Sequence, residues 1–381
     1  MNIPKIRFSE FNDEWKKIQL NSFVEINPKN DSLPEQFIYI DLESVNNGLL
    51  TNRKIISKSE APSRAQRTVK ENDILYQTVR PYQINNLFIN NLDSEYPYIA
   101  STGYALLRTN ENPYFVYSIL YQKSFVNKVL DMCTGTSYPA ISANDLGTIT
   151  VSLPNIKEQE KISKTLSLLD KKIELQSRKI EDLKLFKKGL FNMIFNEVDG
   201  KDYLLSDVVL FENGKGHENI VDDNGEYVLI NSKFISTEGN VIKKCTEQLT
   251  PLYKNDITMV MSDLPNGKAL AKCYYIEDDN KYSLNQRICR IQVKDNNIIN
   301  SKYLYYLLNR NPYYLKFDDG VNQTNLKKDD ILNINILLPS IDIQEENSKI
   351  LTIMDNLIDR ESNKLSKLYS LKKGLMQSMF V

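Results

Sequence analysis

One long stretch occurs twice in this chain and constrains its fold more than any other feature. Residues 153–195 and 338–380 align without a gap at one constant offset, and about 18 of the 43 aligned positions are identical. Each copy begins with Leu-Pro and ends with Phe. An internal repeat of this length indicates a duplicated structural unit. The chain is therefore expected to be a tandem duplication.

Both copies carry apolar residues at the alternating three- and four-residue spacing of a helix seam. Such a stripe, flanked by Lys and Glu, predicts a long helix that packs on another helix as in a coiled coil. The predicted seam consists of Ile162, Leu166, Leu169, Ile173, Ile180 and Leu183 in the first copy and of Leu351, Met354, Ile358, Leu365 and Leu368 in the second. Polar interruptions also coincide, since Gln176 aligns with Glu361 and Lys187 with Lys372. Two amphipathic helices in separate cores are the alternative interpretation.

The region before each copy has the pattern of a globular domain. Short strand-like runs alternate with Asn, Gly and Pro, and each region contains one helical stretch. The two regions correspond weakly but in order, because Glu71–Val79 (ENDILYQTV) parallels Lys254–Ser262 (KNDITMVMS). The predicted fold class is α+β. Its globular domains occupy residues 1–152 and 199–337, and its long helices occupy residues 153–198 and 338–381.

Composition excludes several classes of protein. No apolar run is long enough to span a bilayer, and the first residues lack a signal-peptide pattern, so a cytoplasmic protein is expected. The four cysteines have no paired spacing and the chain has a single histidine, which disfavours a disulfide framework and a zinc site. We expect neither a metal nor a cofactor. A net charge of −1 gives no basic surface overall.

Several stretches resemble one known family, the specificity subunits of type I restriction-modification systems. They are PKIRFSEFNDEWK near the start, LPNIKEQEKI, LDKKI, KIEDLK and KKGLFNMIF in the first repeat, and KKGLMQSMF in the second. The resemblance covers essentially the whole chain. One departure is Ile343, which stands where the first copy has Glu158.

The resemblance implies a fold and a function. Each globular region would be a target recognition domain that reads one half of a bipartite sequence in double-stranded DNA. The two helices would pair as an antiparallel coiled coil and fix the unread spacer. Two DNA methyltransferase (modification) subunits would dock on this scaffold, and restriction/translocase subunits would join for cleavage. The chain itself would perform no chemistry.

The first globular region offers candidate DNA-binding side chains in a basic segment, in a strand and in a turn. Arg, Asn and Gln can read base edges, and Lys and Arg can contact phosphates. The candidates are Arg53, Lys54, Lys58, Arg64, Gln66, Arg67, Tyr76, Gln77, Arg80, Ser137 and Tyr138. A solvated loop accounts for the basic segment equally well, and ordinary strand and turn chemistry accounts for the others.

The second globular region offers a comparable set scattered over five short stretches. The candidates are Lys215, His217, Asn231, Lys233, Asn266, Lys268, Asn285, Gln286, Arg287, Asn322 and Gln323. His217 also fits the role of a plain loop residue.

Two other functions fit parts of the sequence. Asn112-Pro113-Tyr114-Phe115 and Asn311-Pro312-Tyr313-Tyr314 superficially resemble the Asn-Pro-Pro-Tyr/Phe loop of adenine methyltransferases, but both lack the second proline and no Gly-rich cofactor loop accompanies them. No phosphate-binding loop of the Gly-x-x-x-x-Gly-Lys-Ser/Thr type is present. A coiled-coil protein–protein adaptor with two globular binding domains and no DNA specificity is the remaining alternative.

Overall fold

The computed structural model describes residues 3–29, 32–46, 48–92, 94–135, 137–196 and 199–381. It divides into two compact units. The first unit is Met1–Arg178 with Ser362–Val381, and the second is Lys179–Glu361. Each unit thus combines one globular head (residues 3–155 or 199–340) with half of each long helix. The predicted helix boundary at residue 198 lies outside the described residues.

The first head is built from twelve short strands and three α-helices among its described residues. The strands are β1 (Lys16–Gln19), β2 (Val24–Ile26), β3 (Gln36–Ile40), β4 (Val45–Asn46), β5 (Leu49–Leu50), β6 (Lys54–Ser57), β7 (Ala65–Thr68), β8 (Ile74–Gln77), β9 (Leu87–Phe88), β10 (Tyr98–Ser101), β11 (Tyr104–Thr109) and β12 (Thr150–Leu153). The helices are α1 (Pro113–Ile119), α2 (Lys123–Met132) and α3 (Ala143–Thr148). Where one helical stretch was predicted for this region, the structure has the separate helices α1 and α2 and the short α3.

The long helices are α4 (Ile156–Asn196) and α10 (Ile341–Ser378), and the second head lies between them in sequence. Its strands are β13 (Lys201–Leu204), β14 (Val209–Asn213), β15 (Tyr227–Ile230), β16 (Lys244–Cys245), β17 (Ile257–Val260), β18 (Ser262–Asp263), β19 (Cys273–Tyr275), β20 (Tyr282–Leu284), β21 (Ile288–Val293), β22 (Thr324–Asn325) and β23 (Asn335–Leu338). Its helices are α5 (Leu205–Val208), α6 (Ser232–Ser236), α7 (Ser301–Leu308), α8 (Pro312–Leu315) and α9 (Lys328–Leu332).

The two heads share the strand order of their main antiparallel sheet. An antiparallel sheet of order β2-β11-β8-β9 in the first head corresponds to β14-β21-β17-β19 in the second. Each head also contains one parallel pair, β3 with β10 and β15 with β20. A two-stranded ribbon joins the start of each head to the strand before the long helix, with Lys16 opposite Leu153 and Lys201 opposite Leu338. The two ribbons are related by the same offset as the repeated helical segments.

Within each unit, the helix halves pack against each other in antiparallel order. In the first unit, Lys372 forms an ion pair with Asp170 at 2.5 Å. In the second, Lys179 pairs with Glu361 at 3.3 Å and Lys187 pairs with Asp355, so the two helices run in opposite directions. The seam residues Ile162, Leu166, Leu169, Ile173, Ile180, Leu351 and Met354 are buried, and Leu183, Ile358, Leu365 and Leu368 are half-buried.

A buried glutamine in each repeated Gln-Glu motif bonds to the proline that precedes its helix. The Gln159 side-chain N–H donates to the carbonyl of Pro154 at 2.9 Å, and its oxygen accepts the backbone N–H of Asn112 at 3.2 Å. Gln344 makes the same two bonds to Pro339 and Asn300, each at 2.9 Å. Because buried polar groups must be paired, this amide fixes the first turn of each long helix to the residue that caps α1 or α7.

The repeated Asn-Asp-Ile motif is a turn before the central strand of each head. Asn72 and Asn255 are left-handed, with φ of 68° and 73°. Asn tolerates this conformation better than other side chains with a Cβ atom. The following carboxylates accept a backbone N–H three residues earlier, Asp73 from Lys70 at 2.7 Å and Asp256 from Tyr253 at 2.9 Å.

The segment before β1 packs against the first unit. The Trp15 ring lies edge-on to Phe115 and Phe380, at centroid distances of 5.8 and 6.1 Å. Arg7 donates two bonds of 2.8 Å to the carboxylate of Glu158, whose side chain is 1% exposed. The second copy has Ile343 in place of Glu158, so this bidentate ion pair belongs to the first unit alone.

Candidate nucleic-acid interface

The basic segment of the first head does not form one patch. β6 and β7 are the two outer strands of the sheet β6-β3-β10-β7. At roughly 4.8 Å between neighbouring strands, these edges lie about 14 Å apart. Exposed residues near β6 are Arg53, Lys54 and Lys58, and those near β7 are Arg64 and Gln66. Lys58 forms an exposed ion pair with Glu35 at 3.4 Å. Arg67 is half-buried, and burial lowers the pKa of its guanidinium.

Two loops of the first head are paired and carry exposed side chains. The backbone N–H of Arg80 donates to the Pro139 carbonyl at 2.7 Å, beside a bridge between Val79 and Ala140. The Arg80 guanidinium lies 4.4 Å from the ring centroid of Tyr138, which is 63% exposed. An arginine stacked on an exposed aromatic ring offers both a base-edge donor and a stacking surface. Ser137, in the same turn, is exposed, and Thr136 lies outside the described residues.

Tyr76 and Gln77 do not fit the predicted role of DNA contacts. Both are buried, because all four residues of β8 lie inside the head and not on a half-exposed strand. The side-chain amide of Gln77 instead donates to Val79 O and Gln83 Oε1, each at 2.8 Å, and so shapes the loop that carries Arg80.

Backbone hydrogen bonds connect Arg64 to the paired loops that carry Arg80 and Tyr138. Thr102 N–H donates to Arg64 O at 2.9 Å, and Thr78 N–H donates to Gly103 O at 3.0 Å. Arg64 is thereby joined through the turn at residues 102–103 to the loop of Arg80. We call Arg64, Arg80, Ser137 and Tyr138 the first reading face.

The second head contains the same loop pair. β18 pairs with β22, with Ser262 opposite Asn325. The side chain of Gln323 donates to Ser262 Oγ at 2.7 Å, and that of Asn266 donates to Gly320 O at 3.2 Å. Asp263 turns inward and accepts the backbone N–H groups of Ala269 and Leu270 at 2.7 and 3.0 Å. The exposed candidates on these loops are Asn266, Lys268, Asn322 and Gln323.

The remaining candidates of the second head lie where its parallel strands end. β15 ends opposite the end of β20, with Ile230 opposite Leu284. Asn231 and Asn285 follow directly, and Asn285 N–H donates to Ile230 O at 3.1 Å. Asn231 also caps α6. Exposed residues in the adjoining turns are Lys215, Lys233, Gln286 and Arg287. Gln286 donates to Glu218 Oε1.

His217 is a structural residue. It is buried, with Nδ1 2.8 Å from Lys215 O and Nε2 2.7 Å from Ser283 Oγ. Its imidazole therefore fixes the loop that presents Lys215, and a DNA contact by His217 does not fit this burial.

The two groups of candidates in the second head are adjacent. Met261 N–H, beside β18, donates to Arg287 O at 3.0 Å. We call this surface the second reading face. It consists of Lys215, Asn231, Lys233, Asn266, Lys268, Asn285, Gln286, Arg287, Asn322 and Gln323.

The two reading faces share a backbone framework and differ in side chains. Ile141 N–H donates to Thr78 O at 3.1 Å in the first head, and Leu326 N–H donates to Met261 O at 2.8 Å at the equivalent place in the second. Arg80 in the first loop pair has Asp263 as its counterpart in the second. The same scaffold thus presents arginine and tyrosine in one head and mostly amides and lysines in the other.

The methyltransferase-like tetrapeptides are helix starts. Asn112 caps α1 by accepting Phe115 N–H at 3.0 Å, and Asn311 caps α8 by accepting Tyr313 N–H at 2.9 Å. Each following proline occupies the first turn of its helix, where its missing N–H is not needed. The two motifs are not equivalent, because Asn300, and not Asn311, binds Gln344 as Asn112 binds Gln159. Within the described ranges, no group of three or more His, Cys, Asp or Glu residues could hold a metal ion.

Sequence reasoning missed the structural role of several residues. Gln77 and His217 shape loops from inside, and only their burial in the fold reveals this role. The helix halves are joined by Asp170, Asp355, Lys187 and Lys372, and the identity of these residues in the two repeats was the available signal.

Among the residues that the structure describes, no helix is both long and apolar enough to cross a membrane.

Comparison with known proteins gives one family. The family model for the type I restriction modification DNA specificity domain matches twice, at residues 12–185 and 197–369. The type I restriction enzyme HindI specificity subunit of Haemophilus influenzae is 27% identical over 185 residues, which is 46% of this chain and 39% of that protein. This chain thus matches well under half the length of that relative. The MjaVIII specificity subunit of Methanocaldococcus jannaschii is 23% identical over 96% of this chain and 91% of its own length.

A solved structure supports the fold. The type I restriction-modification system S subunit from M. genitalium superposes with a TM-score of 0.65 at 17% identity, covering 100% of this chain and 99% of that one. The predicted tandem α+β architecture and the family resemblance are both confirmed, and nothing found supports the protein–protein adaptor. The chain belongs to the family of type I restriction-modification DNA specificity subunits and carries two copies of the family's specificity domain.

Proposed function

We propose that each reading face contacts one half of a bipartite target in double-stranded DNA and that the paired helices set the unread gap between the halves. Duplicated protein geometry is the usual source of a fixed half-site spacing. Base edges are read by Arg, Asn and Gln, and these residue types occupy the two faces. The first face comprises Arg64, Arg80, Ser137 and Tyr138, and the second is centred on Asn285–Arg287 and Asn322–Gln323.

The observation that carries this proposal is the pattern of divergence between the heads. Equivalent backbone bonds, such as Ile141 to Thr78 and Leu326 to Met261, hold equivalent loops. The exposed side chains on those loops differ in charge and hydrogen-bonding type. The two heads thus have the same backbone framework and different exposed side chains at the loop tips. This combination supports readout of two different short sequences.

We further propose that the chain contributes specificity and no catalysis, acting in the cytoplasm with modification and restriction subunits. Most affinity for DNA comes from phosphate neutralisation by Lys and Arg. The chain carries 48 of these residues against 49 Asp and Glu, a balance that supports sharing of phosphate contacts with partner subunits. The isolated chain should therefore bind its target weakly and lose that binding as salt rises. Tight, salt-resistant binding by the chain alone would contradict this division.

Two equivalent apolar patches support the docking of two copies of one methyltransferase subunit. In the first unit, Leu168 and Leu371 flank the ion pair of Asp170 with Lys372 and are 59% and 52% exposed. In the second unit, Ile353 and Phe186 hold the equivalent positions beside Asp355 and Lys187, at 64% and 59% exposure. Exposed apolar side chains that recur at equivalent positions of the repeat fit a partner that binds twice.

Single charge substitutions should remove one docked subunit at a time. Leu168→Asp should reduce the assembly from two methyltransferase subunits to one, and Ile353→Asp should do the same through the other patch. The double variant should bind none. The measurement is native mass spectrometry of the purified complex.

The matched control is Leu49→Asp, because Leu49 is also exposed but lies in the β4–β5 hairpin of the first head. It should leave two subunits bound. Loss of both subunits in either single variant would contradict two independent patches, and retention of both in the double variant would place the docking surface elsewhere.

The experiment that tests the proposed function is co-expression of this chain with a methyltransferase subunit, followed by mapping of methylated bases across the host genome. The expected result is one bipartite motif, two short sequences around a fixed unread gap. Intact binding of the methyltransferase without any such motif would overturn the proposal.

A further inference from the structure

Each unit contains a Tyr–Asp–Lys triad where its head meets its helix halves. The first triad is Tyr114, Asp170 and Lys372. The second is Tyr306, Asp355 and Lys187. In each, the lysine and the aspartate come from the two different long helices, and the tyrosine comes from α1 or α7 of the head. The triad therefore connects three segments at one point.

The aspartate is the centre of each triad. Asp170 accepts the Tyr114 hydroxyl through Oδ2 and pairs with Lys372 at 2.5 Å through Oδ1. Asp355 accepts the Tyr306 hydroxyl at 2.8 Å and pairs with Lys187. Burial, with the neighbouring aspartate adding to it, raises the pKa of both tyrosine hydroxyls above the usual range. Each hydroxyl thus remains a proton donor.

The aspartates and lysines are equivalent in the two units, but the tyrosines are not. Asn112 and Asn300 are equivalent caps, because each donates its N–H to the repeated glutamine. Tyr114 is the second residue after its cap, and Tyr306 is the sixth after its own. Residues four apart lie on the same face of a helix, one turn from each other.

In each head, the position equivalent to the other head's triad tyrosine holds a side chain that is not a tyrosine. Ser118, the counterpart of Tyr306, bonds back to Tyr114 O at 2.8 Å within its own helix. Lys302, the counterpart of Tyr114, lies 4.0 Å from the ring centroid of Tyr275. In each unit, therefore, a tyrosine hydroxyl donates to the equivalent aspartate, although the two tyrosines occupy different positions of their helices. The contact is common to both units, and the position of the tyrosine is not.

A polar contact within an apolar seam acts on geometry more than on stability. Isolated polar positions in coiled coils fix the register and lower stability relative to an apolar pair. In both triads the aspartate and lysine side chains are only half-buried, at 26% to 37% exposure, so the ion pairs are partly screened by water.

We propose that the two triads are register pins, which fix each head along its helix pair and thereby fix the length of the DNA spacer. This inference rests on the proposed bipartite readout. Each head is tied to the start of its own long helix by the buried glutamine, so the slip that the triads oppose is that of one long helix past the other, and one helical turn of it moves a head by about 5.4 Å along the helix axis. One base pair of DNA rises about 3.4 Å. An unpinned head therefore reaches spacers one or two base pairs away from the native length. Tyr114 and Tyr306 are positioning residues in this scheme.

The test uses the full chain co-expressed with a methyltransferase subunit and a plasmid library. The plasmids carry both half-sites, separated by gaps from two base pairs shorter to two base pairs longer than the native gap. Wild type should methylate one gap length. Tyr114→Phe, Tyr306→Phe and the double variant should raise methylation at neighbouring gaps at least tenfold relative to the native gap, with unchanged half-site sequences.

The controls are Tyr121→Phe and Tyr275→Phe. Their hydroxyls bond within the head, to Tyr117 and Asn255 respectively, and not to a long helix. Both controls should keep the single gap. Uniform loss of methylation at all gaps in the triad variants, or an unchanged single gap, would overturn the pins while leaving the bipartite readout intact. Failure of wild type to show any bipartite motif would overturn the proposed function itself, and the spacing role with it.

Discussion

The helices and the heads of this chain have diverged to different extents. The repeated helical segments keep about 18 of the 43 aligned positions identical, including the glutamine, aspartate and lysine that tie each unit together. The heads keep the strand order of their main antiparallel sheet and their loop pairing but replace almost every exposed side chain at the loop tips. This difference supports the proposal that the helices bind a repeated partner, whereas the heads keep one framework and differ in their exposed loop tips.

The cores of the two heads also differ in sequence while the framework stays the same. Each core is filled by large buried side chains whose identity differs between the heads, as at the third residue after the equivalent caps, which is Phe115 in the first head and Tyr303 in the second. A core tolerates such exchange when its total volume and apolar pattern are kept. The helix seam has less freedom, because each seam residue faces another helix at a fixed register.

The largest expected effect concerns the equivalence of the two seams. Leu169 and Met354 are aligned in the repeat and buried at 9% and 7% exposure. Changing either to Asp removes core contacts and buries a charge, which should lower the free energy of unfolding by about 4 kcal/mol. Equilibrium denaturation measures this. The control is Leu168→Asp, one residue away on the exposed face, which should change the free energy of unfolding by about 0.5 kcal/mol or less.

Clearly unequal losses for Leu169→Asp and Met354→Asp would show that the two helix pairs are not energetically alike. A stable Leu169→Asp variant that still forms the complex would contradict the antiparallel seam.

The second prediction uses a place where the helix copies differ in a buried charge, Glu158 in the first copy and Ile343 in the second. Arg7→Ala leaves the buried Glu158 carboxylate without its bidentate partner, and such a loss costs about 3 kcal/mol. Adding Glu158→Ile, the residue type found in the second copy at Ile343, should restore most of the stability. A double variant as unstable as Arg7→Ala would mean that the segment before β1 stabilises the first unit by other contacts. Thermal denaturation of both variants decides this.

The sequence allowed prediction of the duplication and of the long helices, because those features are local and periodic. The helices observed at Ile156–Asn196 and Ile341–Ser378 lie within the predicted ranges 153–198 and 338–381. The division of each helix between two units depends on pairing between segments that are distant in sequence, which no local pattern encodes. The domain boundaries proposed from sequence remain predictions.

The candidate site was harder to predict, because exposure is a property of the fold. Tyr76 and Gln77 follow a repeated motif and have suitable side chains, yet β8 is central and buried. Arg53 and Arg64 are close in sequence but border opposite edges of one sheet. Arg80 and Tyr138 are far apart in sequence and stack on each other. Residue types alone gave the candidates, and strand pairing decided which of them lie together.

The smallest expected effect in free energy is the most informative about the heads. Arg80→Ala should weaken discrimination in one half-site by about 1–3 kcal/mol, the range for losing a bidentate base contact. Gln323→Ala should do the same in the other half-site. Binding competition with single-base variants of the methylated motif, in the complex with the methyltransferase subunit, measures both. The half-site that each variant leaves unaffected is its internal control. A residue that contacts a base directly should change discrimination only in the half-site of its own head. Equal loss of discrimination in both half-sites from either substitution would therefore mean that the residue acts through the backbone framework that the heads share.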